Sequence, residues 1–242
     1  VKLAGAVPVL VPAGADHQLD LEALERAATP RTRAIILNTP NNPTGAVYPE
    51  AALRAVVALA ERLGLTIIAD EAYEALVYDG ARQVSVASLG AAARTVTIQT
   101  FSKSFAMTGF RVGYLAGPAE VVEAVGRIHG HVTGNACTFA QYGALAALGL
   151  GDAHRSPWRV AHQKRRDIAF ELGAKLFDCA RPQGGLFLFA DARRHLGGRF
   201  ADSEALAAHF LKAARVAVMP GSAFGREGFL RLSFSAPEAA LR

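Results

Sequence analysis

The sequence is poor in cysteine and has no arrangement of residues typical of a metal site. Its 242 residues include two cysteines, Cys137 and Cys179, and seven histidines, and none of them has metal-ligand spacing. Two isolated cysteines also make no disulfide framework, which is typical of proteins in a reducing compartment. We therefore expect a cytoplasmic protein without a structural or catalytic metal.

Long apolar runs and basic clusters are missing as well. No run reaches the roughly eighteen apolar residues that a membrane-spanning helix needs, and no signal-peptide pattern is present. The net charge is +5, but lysine and arginine are scattered, and the longest basic run is residues 164–166. Without a cluster or interleaved aromatic residues, this charge is typical of a solvated surface. We expect no membrane and no nucleic-acid partner.

Both ends of the chain have unusual patterns. It starts at Val1 without an initiator methionine, and it ends at Arg242 within a pattern typical of the opening of a helix. About half of the residues are apolar, which is enough for a sizeable core in one large domain or two smaller ones. We expect that both ends are cut and that the C-terminal helix is therefore short.

Strand-like and helix-like segments alternate along the first part of the chain. Apolar, β-rich runs predict strands, and apolar residues at helical spacing predict helices. The predicted strands are residues 6–11, 33–38, 65–69, 95–100 and 110–116, and the predicted helices are residues 21–28, 49–63, 119–128 and 137–150. The last helix is apolar almost all round, so we expect it to be buried. This alternation predicts an α/β fold with a mainly parallel sheet flanked by helices.

The second part of the chain predicts a smaller α+β domain. Residues 149–157 are polar and broken by glycine and proline, which favours a domain boundary there. A long helix at 158–177, a helix at 203–214 and strands near 186–190, 216–219 and 229–234 are predicted beyond it. We therefore expect domains at residues 1–152 and 153–242, with a cleft between them where a small ligand binds.

Polar side chains follow three of the predicted strands. Asn42 comes shortly after the second strand, Asp70 ends the third with Tyr73 one helical turn later, and Lys103 follows the fourth. The carboxyl ends of parallel strands meet at one edge of a sheet, where open α/β sheets bind their ligands. We expect these four residues to gather at that edge.

The residues around Lys103 match the groups of a phosphorylated aldehyde. Its amine can form a Schiff base, while the hydroxyls of Thr100 and Ser102 and the guanidinium of Arg111 can hold a phosphate. Once released by a substrate, the same lysine can act as a base.

The other strand-end residues match the rest of a pyridine aldehyde. A buried carboxylate at Asp70 would raise the pKa of a ring nitrogen and keep it protonated. The amide of Asn42 and the hydroxyl of Tyr73 can donate hydrogen bonds to a phenolic oxygen. The predicted site therefore suits pyridoxal 5′-phosphate.

Several separate motifs support this interpretation. They are NPTG at 42–45, DEAY at 70–73, SKSFAMTGFRVGY at 102–114, PGSAFG at 220–225 and RLSF at 231–234. In order and spacing the chain resembles class I/II aminotransferases of the aspartate aminotransferase superfamily, which have the pyridoxal-phosphate fold type I. The resemblance implies a large cofactor-binding domain, a small C-terminal domain and a homodimer. It also implies that Arg231 binds the substrate α-carboxylate, for which a fork-shaped guanidinium is suited.

The resemblance further implies an activity and an incomplete large domain. The activity is transfer of an amino group between an L-amino acid and a 2-keto acid by a ping-pong mechanism. The family's early sheet strands, glycine-rich phosphate turn, ring-stacking aromatic residue and closing N-terminal segment have no counterpart here. We therefore expect the central and C-terminal part of a longer protein, which by itself binds the cofactor weakly or folds poorly.

Two alternatives stay open at this point. The same cofactor residues serve β-lyases and decarboxylases on this scaffold. An aminotransferase-like ligand-sensing domain of a transcriptional regulator is the other alternative. Tyr73 stands where acyl-CoA-condensing relatives usually have histidine, which disfavours that group. The identity of the amino acid and keto acid is not encoded in these motifs.

Overall fold

The computed structural model describes residues 1–14 and 16–242, and these form two four-stranded sheets with helices around them. The first sheet has the order β1-β2-β3-β4, and the second has the order β5-β6-β8-β7. The strands are β1 (Ala34–Asn38), β2 (Thr66–Asp70), β3 (Thr95–Thr100), β4 (Gly113–Ala116), β5 (Asp178–Cys179), β6 (Phe187–Asp191), β7 (Met219–Pro220) and β8 (Phe229–Ser233). The helices are α1 (Leu21–Ala27), α2 (Glu50–Leu63), α3 (Phe101–Ser104), α4 (Ala119–Val132), α5 (Thr138–Gly149), α6 (Gly151–Gly173), α7 (Ser203–His209) and α8 (Glu238–Leu241).

The first sheet is mainly parallel, as predicted. Strands β1, β2 and β3 run parallel, and β4 is antiparallel to β3. The register places Asn38 opposite Asp70, and Asp70 opposite Ile98 two residues before the end of β3. The carboxyl ends of all three parallel strands therefore lie at one edge.

Local sequence accounts for the helix that covers one face of this sheet. Pro49 precedes α2, and Gly64 ends it with a left-handed φ of 64°, as the pattern of apolar residues and caps predicts. The apolar stripe of α2 packs on the alternate residues of β1 and β2 that point to the same side. This face is the main core of the first part of the chain.

Three sequence-based predictions differ from the structure. Residues 6–11, all within the described part, form no strand; residues 6–10 are exposed and Val11 is half-buried, since an isolated extended segment without a paired strand is not stabilised. The predicted buried helix, α5, buries only Ala140, Ala144 and Ala147, while its large side chains are exposed. The segment at 149–157, whose glycine and proline favour a domain boundary, is mostly helical, because α6 begins at Gly151 and continues beyond Pro157.

The division into residues 1–152 and 153–242 stays a prediction, and the predicted boundary falls in the first turn of α6. Each sheet lies within one of these two parts. Among the described residues, no helix is both long and apolar enough to cross a membrane.

The segment at residues 182–185 joins the second sheet to the first part of the chain. The backbone N–H groups of Gln183 and Gly184 both donate to the Gly45 carbonyl at 2.9 Å, and Gly185 N–H donates to the Leu76 carbonyl at 2.9 Å. A Cβ atom on Gly184 would lie 2.8 Å from the Leu76 oxygen, so this approach requires glycine. The contact fixes where β6 begins.

A buried arginine strengthens the same junction. The side chain of Arg166 in α6 is fully buried and donates to both carboxylate oxygens of Asp79, at 2.7 and 2.9 Å. It also donates to Asp167 at 2.7 Å and to the Pro182 carbonyl at 2.6 Å, and it lies over the Tyr78 ring. One guanidinium thus ties α6, the 182–185 segment and the loop after β2 together.

We predict that Asp79→Ala lowers the free energy of unfolding by about 1–3 kcal/mol, because two N–H groups of a buried guanidinium lose the half-exposed Asp79 carboxylate as their acceptor. Urea denaturation at neutral pH measures the change. The Arg166 guanidinium holds the pKa of the Asp79 carboxyl below its usual value, so this contribution is present above about pH 4 and is lost as the pH falls further.

The matched control is Glu123→Ala, which removes the exposed ion pair with Arg127. Exposed pairs of this kind contribute about 0.5 kcal/mol or less. Equal small effects for both substitutions would contradict the role assigned to the buried arginine.

Candidate active site

The ends of the parallel strands bring Asn42, Asp70 and Lys103 to one edge of the first sheet. Asn38, at the end of β1, connects the first two: its amide donates to the Asp70 carbonyl at 3.1 Å, and its side-chain oxygen accepts from the Asn42 N–H at 2.6 Å. Lys103 lies in α3, which follows β3 directly. The three residues therefore lie at the carboxyl ends of neighbouring strands.

The turn that carries Lys103 is packed tightly. Thr100 caps α3 by accepting a hydrogen bond from Ser102 N–H at 3.1 Å, and Phe101, Ser102 and Ser104 are buried. The Ser104 hydroxyl donates to Glu74 at 3.4 Å, and Glu74 also pairs with Arg155 of α6 at 3.2 Å. Lys103 lies between these buried residues, and its side chain is partly exposed.

Arg111 lies beside this turn. Gly113 of β4 pairs with Thr100 of β3, which places Arg111, two residues before Gly113, next to α3. Its backbone has a left-handed φ of 53°, and its guanidinium donates to the Thr108 carbonyl at 2.9 Å. The remaining N–H groups of this exposed guanidinium can donate to an anion.

Asp70 and Tyr73 face the same region from the turn after β2. Asp70 accepts a hydrogen bond from Ala72 N–H at 3.2 Å, which fixes one carboxylate oxygen. Tyr73 is buried, and burial raises the pKa of its hydroxyl, while the nearby charges of Arg231 and Asp70 lower and raise it respectively. Tyr73 is therefore a neutral hydrogen-bond donor at physiological pH.

Arg231 reaches this edge from the second sheet. It lies in β8, and its Nη1 donates to the Asn42 side-chain oxygen at 2.9 Å, across 189 residues of sequence. The rings of Phe187 and Phe224 lie 4.2 and 4.8 Å from its Cζ atom. Desolvation by these neighbours lowers the pKa of the guanidinium.

The charged groups at this edge have no ionic partner in the protein. Within residues 1–14 and 16–242, neither Asp70, Lys103, Arg111 nor Arg231 makes a salt bridge. Elsewhere in the chain, arginines next to carboxylates are paired, as Arg166 and Asp79 are. The edge therefore presents an amine, a carboxylate and two guanidinium groups to a ligand, a donor set that fits pyridoxal phosphate with a carboxylate substrate. The described residues hold no cluster of three or more candidate metal ligands.

Sequence reasoning missed Asn38, Phe187 and Phe224. Asn38 is a polar residue at the end of a predicted strand, which is the same pattern that identified Asp70. Phe224 lies within the PGSAFG motif, but Phe187 is an ordinary apolar strand residue in the sequence. The contacts of the two rings with Arg231 depend on the strand register.

The carboxyl group of Glu71, the residue after Asp70, is buried. Glu71 is 2% exposed, and its Oε1 accepts from Val86 N–H at 3.2 Å, while its Oε2 accepts from Gln99 at 3.4 Å. Burial raises the pKa of this carboxyl, and the nearby acids Glu74 and Asp70 raise it further. Glu71 thus connects the Asp70 turn to β3 and to the 84–86 loop.

These features define an α/β protein with a lysine, a carboxylate and an arginine at the carboxyl edge of a mainly parallel sheet. A family model described as "Aminotransferase class I and II" matches residues 1–242. The chain belongs to this family.

Named relatives agree with this membership. A probable aspartate/prephenate aminotransferase of Aquifex aeolicus is 42% identical, and an aspartate aminotransferase of Geobacillus stearothermophilus is 39% identical; each alignment covers 100% of this chain and 63% of the relative. The solved aspartate aminotransferase from Thermus thermophilus with maleate superimposes with a TM-score of 0.93 at 36% identity, covering 100% of this chain and 63% of that one. The chain therefore spans about two thirds or less of the length of the relatives it matches.

We predict that Glu71→Gln makes the protein more stable relative to the parent at about pH 8 than at about pH 5. A carboxyl whose folded pKa is raised favours folding when protonated, and this contribution is lost as the pH rises through the folded pKa. Glutamine keeps an oxygen for Val86 N–H and removes the cost of a buried charge. Urea midpoints at the two pH values measure the difference.

Glu22→Gln, at an exposed position of α1, is the control. Its urea midpoint should differ from that of the parent by the same amount at both pH values. An advantage of Glu71→Gln that is constant or shrinks toward about pH 8 would contradict the raised pKa.

Proposed function

We propose that the protein is a pyridoxal phosphate-dependent aminotransferase that moves an amino group between an L-amino acid and a 2-keto acid. The observation that carries this proposal is the set of unpaired charges at the sheet edge: Lys103 and Asp70 from the first sheet, and Arg231 from the second. A binding site with a free amine, a carboxylate and a guanidinium matches an aldehyde, a pyridine nitrogen and a substrate carboxylate.

Lys103 has two roles in this proposal. Its Nζ amine would hold the cofactor aldehyde covalently, and once freed by the substrate amine it would act as the base that takes up and returns the α-proton. Pyridoxal phosphate would supply the electron sink that makes this α-proton acidic. The buried residues on both sides of Lys103 fix the short helix from which this amine extends.

The other residues bind and orient the cofactor. Asp70 would keep a proton on the ring nitrogen through its negative charge, and Tyr73 and Asn42 would donate to the phenolic oxygen. Ser102 and Arg111 would bind the phosphate. Thr100 is assigned there as well, although its hydroxyl already accepts the capping bond from Ser102 N–H and points toward the Val112 carbonyl.

Arg231 binds the α-carboxylate of the substrate. Its Nη1 donates to the side-chain oxygen of Asn42, and its other N–H groups have no acceptor among the described residues. A planar guanidinium with a free edge suits a bidentate carboxylate. The Thermus thermophilus relative was solved with maleate, which is a dicarboxylate, and this supports the assignment.

The two half-reactions use the same residues in opposite directions, which gives ping-pong kinetics. Aspartate is the first amino donor to test, because relatives of this chain are named aspartate aminotransferases. We further infer that the full-length protein is a cytoplasmic homodimer. No observation favours a β-lyase, a decarboxylase or a sensing domain over transamination.

We predict that Lys103→Ala abolishes transamination by the full-length protein and that Asp70→Ala weakens cofactor binding and turnover by orders of magnitude. Formation of the keto acid from aspartate with 2-oxoglutarate, followed by chromatography, measures turnover and separates transfer from elimination. Cofactor absorbance measures binding.

Lys175→Ala, at an exposed position outside the site, is the control and should keep parental turnover. Parental turnover by Lys103→Ala would refute the mechanism. Fumarate with ammonia, or alanine with carbon dioxide, as the products from aspartate would replace transamination by elimination or decarboxylation on the same residues.

A further inference from the structure

Two aromatic rings lie close to the guanidinium of Arg231. The centroid of Phe187 lies 4.2 Å from its Cζ atom, and that of Phe224 lies 4.8 Å away, both well within the distance of a cation–π contact. Other arginines of the chain contact single rings at longer distances, such as Arg199 over Phe200 at 5.3 Å. Arg231 therefore has two aromatic contacts, both closer than these.

The two rings come from different segments and are themselves supported. Phe187 starts β6, and its ring meets Tyr73 edge-on at 6.1 Å. Phe224 ends the turn after β7, and its ring meets Phe189 edge-on at 6.0 Å. Phe189 pairs directly with Arg231 across β6 and β8. Because each ring is supported by another aromatic side chain, the space for the guanidinium is already formed in the protein.

Part of the guanidinium remains available for polar contacts. Asn42 accepts from Nη1 at 2.9 Å. No carboxylate of the described residues lies within 4.0 Å of the remaining N–H groups. A carboxylate of a ligand can therefore accept from N–H donors that have no protein acceptor, and a planar guanidinium binds both of its oxygens best.

We propose that Phe187 and Phe224 are positioning residues for carboxylate recognition, acting by fixing the plane of Arg231 before the ligand arrives. This inference rests on the proposed carboxylate role of Arg231. An arginine that is free to rotate loses side-chain freedom when it binds an anion, and rings that hold it remove that cost in advance. Leucine fills a similar volume but offers no flat face to the guanidinium.

The test is the affinity of the full-length, cofactor-loaded protein for succinate, an unreactive dicarboxylate, measured by titration calorimetry. We expect Phe187→Leu and Phe224→Leu each to raise Kd by about three- to tenfold, since ordering one long side chain costs about that much. We expect Phe187→Tyr and Phe224→Tyr, which keep the ring, to stay within about twofold of the parent. With aspartate as substrate, KM should rise in the leucine variants while kcat stays within about twofold.

Phe200→Leu is the matched control, because it removes a part-buried ring from an arginine contact outside the site and should leave Kd unchanged. Arg231→Gln separates the two hypotheses. If Arg231→Gln binds succinate as the parent does, the carboxylate role itself fails. If Arg231→Gln loses binding but both leucine variants keep it, or if Phe200→Leu loses as much, the positioning role is overturned.

Discussion

The buried guanidinium of Arg166 is the interaction on which the candidate site depends. It joins α6 to Asp79 and to the Pro182 carbonyl, and the ring of Tyr78 lies beneath it. Tyr78 in turn donates its hydroxyl hydrogen to the Gly185 carbonyl at 2.5 Å. These bonds hold the start of β6 against the loops of the first sheet. Together with the backbone bonds of residues 183–185 to Gly45 and Leu76, they fix the position of Arg231 on the second sheet relative to Lys103 on the first.

The electrostatics of the site follow from this junction. Arg166 and Asp79 neutralise each other at the joint, whereas Lys103, Asp70 and Arg231 at the sheet edge have no ionic partner among the described residues. Unpaired and partly desolvated charges raise the free energy of a folded protein, and such groups gather where a ligand supplies the missing charge. The protein thus uses paired charges to fix its two parts and leaves unpaired charges where chemistry is proposed.

The sequence predicts most of this arrangement where the pattern is local. The apolar runs that predict β1, β2 and β3 end at or next to polar residues. These runs are therefore enough to predict that Asp70 and Lys103 lie at the same edge of the sheet. Residues 6–11 were predicted as a strand because a β-rich run does not reveal whether a partner strand is present. Helix α5 was predicted to be buried because composition does not specify what covers a helix. The rings around Arg231 depend on register and could not be predicted from spacing.

The central claim is that Lys103 holds the cofactor covalently at this edge. Borohydride reduction of the full-length protein loaded with pyridoxal phosphate, followed by protease digestion and mass spectrometry, tests it directly. The account predicts the mass of the reduced cofactor on the peptide that contains Lys103. The mass on a peptide of Lys2, Lys164, Lys175 or Lys212 instead, or no stable adduct on any peptide, would contradict it.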